Sequence, residues 1–236
     1  MRTFRTHSPS DNVPSTFKEN MLYILTGRIQ TGKTRWLGSM VGCLEDHGVV
    51  CEGVLAPGIW KETSDGSRVK LGISNELLPD HRTLRFALRS DLSCSSAERN
   101  PAYKAAETPM RWHIEDEAVQ TVNAHFDIMR YGMQAPQSSS ESSMGEESRN
   151  QKRVLVIDEL GPLELLRGEG LTSAVKLLED GPRSRYAFAI VVIRELPELI
   201  ALAKDRFEAA WQQVETVVPS ESTARLILAR ALSSGN

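Results

Sequence analysis

The stretch Gly27-Arg28-Ile29-Gln30-Thr31-Gly32-Lys33-Thr34 (GRIQTGKT) fits the pattern G-x-x-x-x-G-K-[ST], and the apolar run LYIL at 22–25 leads straight into it. That order decides the fold, because the pattern works where a buried strand hands the chain to a helix through a glycine loop whose amides wrap a phosphate chain. Trp36, Leu37, Met40, Val41 and Leu44 keep a helical spacing over Lys33–His47, and Gly48 ends it. Val49–Ala56 is a second apolar run, closed by Pro57-Gly58, so the segment reads as a right-handed, parallel βαβ unit. Gly27 and Gly32 permit backbone angles and close approach that a Cβ would forbid, which lets the amides of about Gln30 to Thr34 face a β-phosphate. Lys33 is expected to bridge the β- and γ-phosphates, and the Thr34 hydroxyl to bind the Mg²⁺ spanning the same oxygens. The expected nucleotide-binding set is Gly27, Arg28, Ile29, Gln30, Thr31, Gly32, Lys33, Thr34 and Arg35.

The second half of such a site lies far downstream. Val154-Leu155-Val156-Ile157 is the pattern of a central strand buried on both faces, and it delivers Asp158 and Glu159 at its carboxyl end, where ligands of open α/β sheets sit. Two adjacent acids closing an apolar run are poorly explained by packing. Asp158 fits the acid that orients Mg²⁺ through a coordinated water, and Glu159 a carboxylate that polarises the attacking water. Arg194 follows the apolar run YAFAIVVI and should emerge at the same edge, to contact a γ-phosphate or to pair with Glu195 or Glu198. Glu164, after the Gly161-Pro162 break, is a second acid for orienting a water or a loop, or a merely exposed one.

Elsewhere the chain alternates. Between Ile59 and Leu92, short runs such as Arg68–Ile73 and Thr83–Leu88, separated by turn residues, predict an inserted antiparallel hairpin region. Ile114, Ala118, Val119, Val122, Phe126 and Met129 follow a 3.6 period behind Glu115, Asp116 and Glu117, which predicts a helix. Helices are also expected over Leu171–Leu178, from Pro197 to about Phe207, and over Ser220–Leu232 with Ser220 as N-cap, and strands over Tyr186–Ile193 and Val214–Val218. The implied architecture is one α/β domain from 21 to 236, three layers with a mostly parallel central sheet. The length from Lys33 to Asp158 exceeds one crossover, which suits enzymes with an additional strand between the two motif strands.

Residues 1–20 read as a disordered tail. Their Ser, Thr and Arg content resembles an organellar transit peptide, but Pro9, Asp11 and Pro14 weaken the helix that targeting needs. Gln134–Arg153 is low in complexity and too polar to bury, so about 134–152 is expected to be a disordered loop. With 28 Lys and Arg against 31 Asp and Glu, the net charge of -3 gives no basic surface inviting nucleic acid. Cys43, Cys51 and Cys94 lack C-x-x-C spacing, which argues against a zinc site or a disulfide framework. No stretch is long and apolar enough for a membrane span, and a cytoplasmic protein is expected. His7, His47, His81, His113 and His125 show no metal-ligand spacing. Trp112 either stacks on a base or, more commonly for such an aromatic, anchors a helix start. Arg82, Arg85, Arg89 and Arg99 either close over phosphates or form a solvated face.

Taken together, ILTGRIQTGKTRWL, GVLAPGIW, RWHIEDEAVQTVN, VLVIDELGPLELLRGEG and VVIRELPEL resemble the nucleoside-triphosphatase family known from thermophiles, which includes the vertebrate cancer-related nucleoside-triphosphatase. The likeness runs from about Met21 to the C-terminus, and DELGPLEL is its most specific element. It implies a P-loop domain of the additional-strand, catalytic-glutamate type that hydrolyses nucleoside 5′-triphosphates to diphosphates with Mg²⁺, slowly and with broad base tolerance. On that pattern the motif positions are Gly27 to Thr34, Asp158 and Glu159, with Arg194 as a basic position after the penultimate strand. The tail and the Ser-rich loop depart from compact members, which bears on localisation and partners. Two other readings fit the same loop: a kinase acting on a nucleotide or small molecule, with the arginines at 82–99 as its lid, and a nucleotide-dependent switch that binds a partner.

Overall fold

The computed structural model describes residues 20–90, 112–132 and 151–233. The N-terminal tail, most of the Ser-rich segment, Cys94, Arg99 and His7 lie outside them.

Among the described residues, five parallel strands form one side of a nine-stranded sheet: β2 (Val50–Leu55), β7 (Arg153–Leu160), β8 (Phe188–Ile193), β1 (Met21–Leu25) and, at the edge, β9 (Gln213–Val217), in that spatial order. β8 stands between the strand leading into the glycine loop and the strand that carries Asp158; it follows Asp158 in sequence, so the length between Lys33 and Asp158 does not supply it. Side chains alternate between two cores. Leu22, Ile24, Leu155, Ile157, Ala189 and Val191 pack on one side, and Met21, Tyr23, Leu25, Val154, Val156, Phe188 and Ile190 on the other. Apolar runs without alternation follow, because both faces of these strands are covered.

The first face carries α2 (Asp116–Gly132) through Val122, Phe126 and Met129, α4 (Thr172–Asp180) through Leu177 and Leu178, and α5 (Pro197–Trp211) through Leu199, Ala203 and Phe207. The second carries α1 (Lys33–Asp46) and α6 (Glu221–Leu232). Three layers result, as expected. Ser220 caps α6, its Oγ accepting from the Thr223 amide at 3.0 Å. None of the described helices is long and apolar enough to cross a membrane.

The sheet departs from a mostly parallel one. β3 (Gly58–Glu62), β4 (Arg68–Leu78), β5 (Arg82–Arg89) and β6 (Trp112–Ile114) are antiparallel and join the parallel block through the β2–β4 pairing, so four of the eight strand pairings are antiparallel. The hairpin insertion is thus a continuation of the main sheet. β4 runs on past Ile73 to Leu78, and Gly58 opens β3 instead of merely closing β2. Trp112 and Ile114 belong to β6, because Ala87, Leu88 and Arg89 of β5 offer them a free edge before the helix begins. Gly161-Pro162 opens a short helix, α3 (Pro162–Leu165), rather than a plain break. Boundaries shift elsewhere: α4 runs on to Asp180, β8 starts at Phe188, and α5 reaches Trp211, whose Nε1 donates to the Leu178 carbonyl at 2.7 Å. Gln151 and Lys152, expected in the disordered loop, are tied down by bonds to the Gly48 and Ala231 carbonyls.

One glycine is required by close approach. A Cβ on Gly53 of β2 would lie 1.9 Å from the Val156 carbonyl oxygen of β7, and its φ of +127 excludes an ordinary side chain as well. At the amino edge of the sheet, buried Glu52 accepts from Arg153, from Arg185 at 2.7 Å and from the Tyr186 hydroxyl at 2.9 Å. That carboxylate is fully paired at the edge remote from the site, which suits a structural role.

Candidate functional site

The carboxyl edge assembles by register. Leu25 stands level with Val192 and Val217, Ile157 with Val191, and Val54 with Ile157, so the residues that leave these strands emerge side by side. Thr26 enters the glycine loop, Asp158 and Glu159 follow Ile157, and Arg194 follows β8. Sequence segments far apart are thereby brought to one rim.

The loop itself is exposed from Arg28 to Thr31, with Ile29 at its tip 62% accessible. Gly32 sits at φ +89 directly before α1, a conformation that a side chain resists, and its carbonyl accepts the Trp36 amide at 2.9 Å. The first turn of α1 therefore points its free amides into the loop. Lys33 is buried and curls back, its Nζ donating to the Gly27 carbonyl at 2.7 Å and the Arg28 carbonyl at 3.0 Å. The ammonium is held inside the ring of loop residues. Arg35 is exposed on α1.

Asp158 is 2% exposed and takes the Ala56 amide on Oδ2 at 3.1 Å, while its Oδ1 is buried with no hydrogen-bond partner among the described residues. Burial pushes its carboxyl up to about 6, with Glu159 adding to the rise, and the Ala56 amide, the Thr34 hydroxyl and the Lys33 charge oppose it. Thr34 and Lys33 both act on Asp158, so the start of α1 and the acid-bearing strand meet at the same rim. The peptide between Asp158 and Glu159 is cis. Glu159 is half-exposed, and Arg194 Nη2 lies 3.5 Å from its Oε1. Arg194 therefore reaches the rim, but its partner is Glu159 rather than Glu195 or Glu198.

Glu164 is not exposed. It is buried in α3, where Oε2 accepts the Gly161 amide at 2.9 Å and Oε1 the Leu171 amide at 3.4 Å. Burial drives its carboxyl up to about 7 against those two amides and its own backbone amide, with Glu159 adding to the rise. Arg85 pairs with Glu115 at 2.5 Å, and Arg99 lies outside the described residues. No cluster of His, Cys, Asp and Glu suited to a metal occurs among the described residues, and Cys43 and Cys51 are free thiols. His125 braces the β2–β4 junction, its Nε2 lying 3.2 Å from the Gly53 carbonyl and 3.0 Å from that of Leu78.

One residue escaped the sequence reading. Lys70 of β4 is half-buried, and burial lowers the proton affinity of its ammonium, with Glu159 and then Asp158 opposing the fall. Nothing local in the run RVKLGI marks it, since only the folding of β4 over the rim brings it there.

With this geometry in view, the fold has a solved counterpart. The chain is similar in fold to a human cancer-related nucleoside triphosphatase. That solution structure aligns with a TM-score of 0.53 and 16% identity, over 92% of this chain and 100% of the other. Such a likeness at this identity establishes the architecture. No family model and no curated protein matches the sequence.

Proposed function

We propose that this chain hydrolyses nucleoside 5′-triphosphates to diphosphate and phosphate, with Mg²⁺ and with broad base tolerance. The observation that carries the reading is the meeting of Lys33 and Thr34 with the buried carboxylate of Asp158. A buried acid with one unpartnered oxygen beside a hydroxyl fits a hard cation, because carboxylate and hydroxyl oxygens are its preferred ligands. Asp158 and Thr34 would hold Mg²⁺, directly or through water, and the ion would supply charge neutralisation on the β- and γ-oxygens.

The protein's own groups do the rest. Lys33, now bonded to two loop carbonyls, exchanges those bonds for phosphate oxygens of a bound triphosphate. The α1 N-terminus adds a partial positive charge to the same oxygens. Glu159, next to Asp158 and half-exposed, would hold the attacking water and accept its proton. Arg194 holds that carboxylate in place and stands ready for charge that grows on the γ-phosphoryl group. The human structure of similar fold is described as a nucleoside triphosphatase, which agrees with this reading.

The test is phosphate release from ATP, GTP, CTP and UTP with Mg²⁺ and no acceptor. Wild-type protein should release phosphate from all four. Glu159→Gln should keep nucleotide affinity and lose about 10²-fold or more in turnover, the scale of a positioned base. Lys33→Ala should weaken triphosphate binding itself. Unchanged turnover in Glu159→Gln removes that residue from the reaction, and phosphate release only with an added acceptor would make the protein a kinase.

A further inference from the structure

β4 pairs with β2 only through Gly53–Leu78, Val54–Leu77 and Leu55–Glu76. Because that pairing is antiparallel, the residues preceding Glu76 lie beyond the carboxyl end of β2, over the rim where the acid pair emerges. A straight strand would carry Lys70 about 20 Å past Glu76. The ribbon is not straight, since register shifts occur at Ile59/Trp60 against β4 and at Ile73/Ser74 against β5, and such bulges bend and re-aim a strand. Ser74 is pinned by its amide to the Pro57 carbonyl at 2.9 Å, which fixes the bend beside β2.

The stem of Lys70 is packed on both sides. Trp60 is its cross-strand partner, and Gly58 leaves the gap, since a Cβ there would lie 2.6 Å from the Trp60 Nε1 and 2.9 Å from the Lys70 Cε. The Lys70 ammonium sits 5.3 Å from the centre of the Trp112 ring. Its Cε lies against Gly58, two residues on from Ala56, whose amide donates to Asp158 at 3.1 Å, and among the described residues no carboxylate forms an ion pair with it. A half-buried ammonium propped on an aromatic face, close to the strand end that holds Asp158 yet without an ion-pair partner among the described residues, suits an anion that arrives there.

We propose that Lys70 is a second cation for the nucleotide, delivered by the overhanging β3–β4 ribbon to the terminal phosphate from the side of the pocket across from the glycine loop. The proposal rests on the hydrolase reading above. Trp112 acts as a positioning residue that keeps the ammonium extended over the rim. The ligand class is the γ-phosphate of a nucleoside triphosphate, so a diphosphate should not sense Lys70.

The experiment compares the wild type with Lys70→Met, Lys70→Arg and Lys33→Ala. Titrations use a non-hydrolysable ATP analogue and ADP with Mg²⁺, alongside kcat and KM for ATP and thermal midpoints. Met preserves the packed stem against Trp60 and Trp112. Lys70→Met should weaken the triphosphate about tenfold or more, the scale of a lost charge-assisted contact, and leave ADP within about twofold. Its thermal midpoint should stay that of the wild type, and Lys70→Arg should restore most of the loss. An unchanged ratio of triphosphate to diphosphate affinity in Lys70→Met overturns the inference, as does an equal loss for both nucleotides. If Lys33→Ala loses triphosphate binding while Lys70→Met does not, only Lys70 is removed. If neither variant changes binding, the nucleotide site itself is refuted.

Discussion

The loop that follows Glu159 closes around a buried acid, and its stability should depend on pH through that acid. Glu164 accepts the Gly161 and Leu171 amides, and Gly170 packs so closely that a Cβ there would lie 2.3 Å from Glu164 Oε1. Its carboxyl is held at about 7 in the folded chain against a reference of 4.5. Between those values the unfolded chain has released the proton and the folded chain has kept it. Protons therefore favour folding, and stability falls as pH rises through this window. The contribution is fully present below 4.5, is lost by about pH 7 and is flat above it. At about 1.4 kcal/mol per unit, the whole loss is about 3 kcal/mol. Glu164→Gln carries no titrating proton, so its profile supplies the baseline, and Asp158, shifted the same way, acts in both proteins and cancels. Urea unfolding from pH 4.5 to 7.5 measures the difference. Wild-type stability should fall relative to Glu164→Gln by a large part of that amount as pH rises, and parallel profiles would refute the assignment of Glu164 as a buried, protonated anchor.

Two further outcomes test other parts of the account. Gly53→Ala should destabilise the protein by about 3 kcal/mol or more in urea or thermal unfolding, since backbone strain and a collision with the Val156 carbonyl act together; a loss below about 1 kcal/mol would mean that β2 and β7 separate easily. Arg194→Ala should lower turnover by about tenfold or more while nucleotide affinity changes less, because the side chain both holds Glu159 and meets growing charge; a wild-type kcat would reduce it to a surface ion pair.

How much of this was legible before any coordinates depended on whether the determinant was local. The apolar run before Gly27 and the run before Asp158 are unbroken because both faces of a central strand are buried, and that property is written into consecutive residues. The same holds for α1 and α2, whose periodic faces match their buried residues. What escaped depends on pairing across the sheet. Trp112 and Ile114 enter β6 because β5 has a free edge, which no three-residue window can announce. Lys70 reaches the acid pair only through the β2–β4 register and two bulges. Glu164 is visible in the sequence as an acid near the site, but its inward turn depends on Gly170 leaving room six residues along the chain. Arg194 was placed at the correct edge from its strand, whereas its choice of Glu159 over two acids nearer in sequence is set by the neighbouring strand β7.

The central claim is that the Gly27–Thr34 loop and the Asp158–Glu159 strand end form one pocket for a triphosphate. Backbone amide shifts, followed as a non-hydrolysable ATP analogue and Mg²⁺ are added, test it directly. The account predicts that the amides of Gly27 to Thr34, Ala56 and Glu159 move together with a single apparent affinity. Shifts confined to one of the two segments, or a site elsewhere on the sheet, would contradict it.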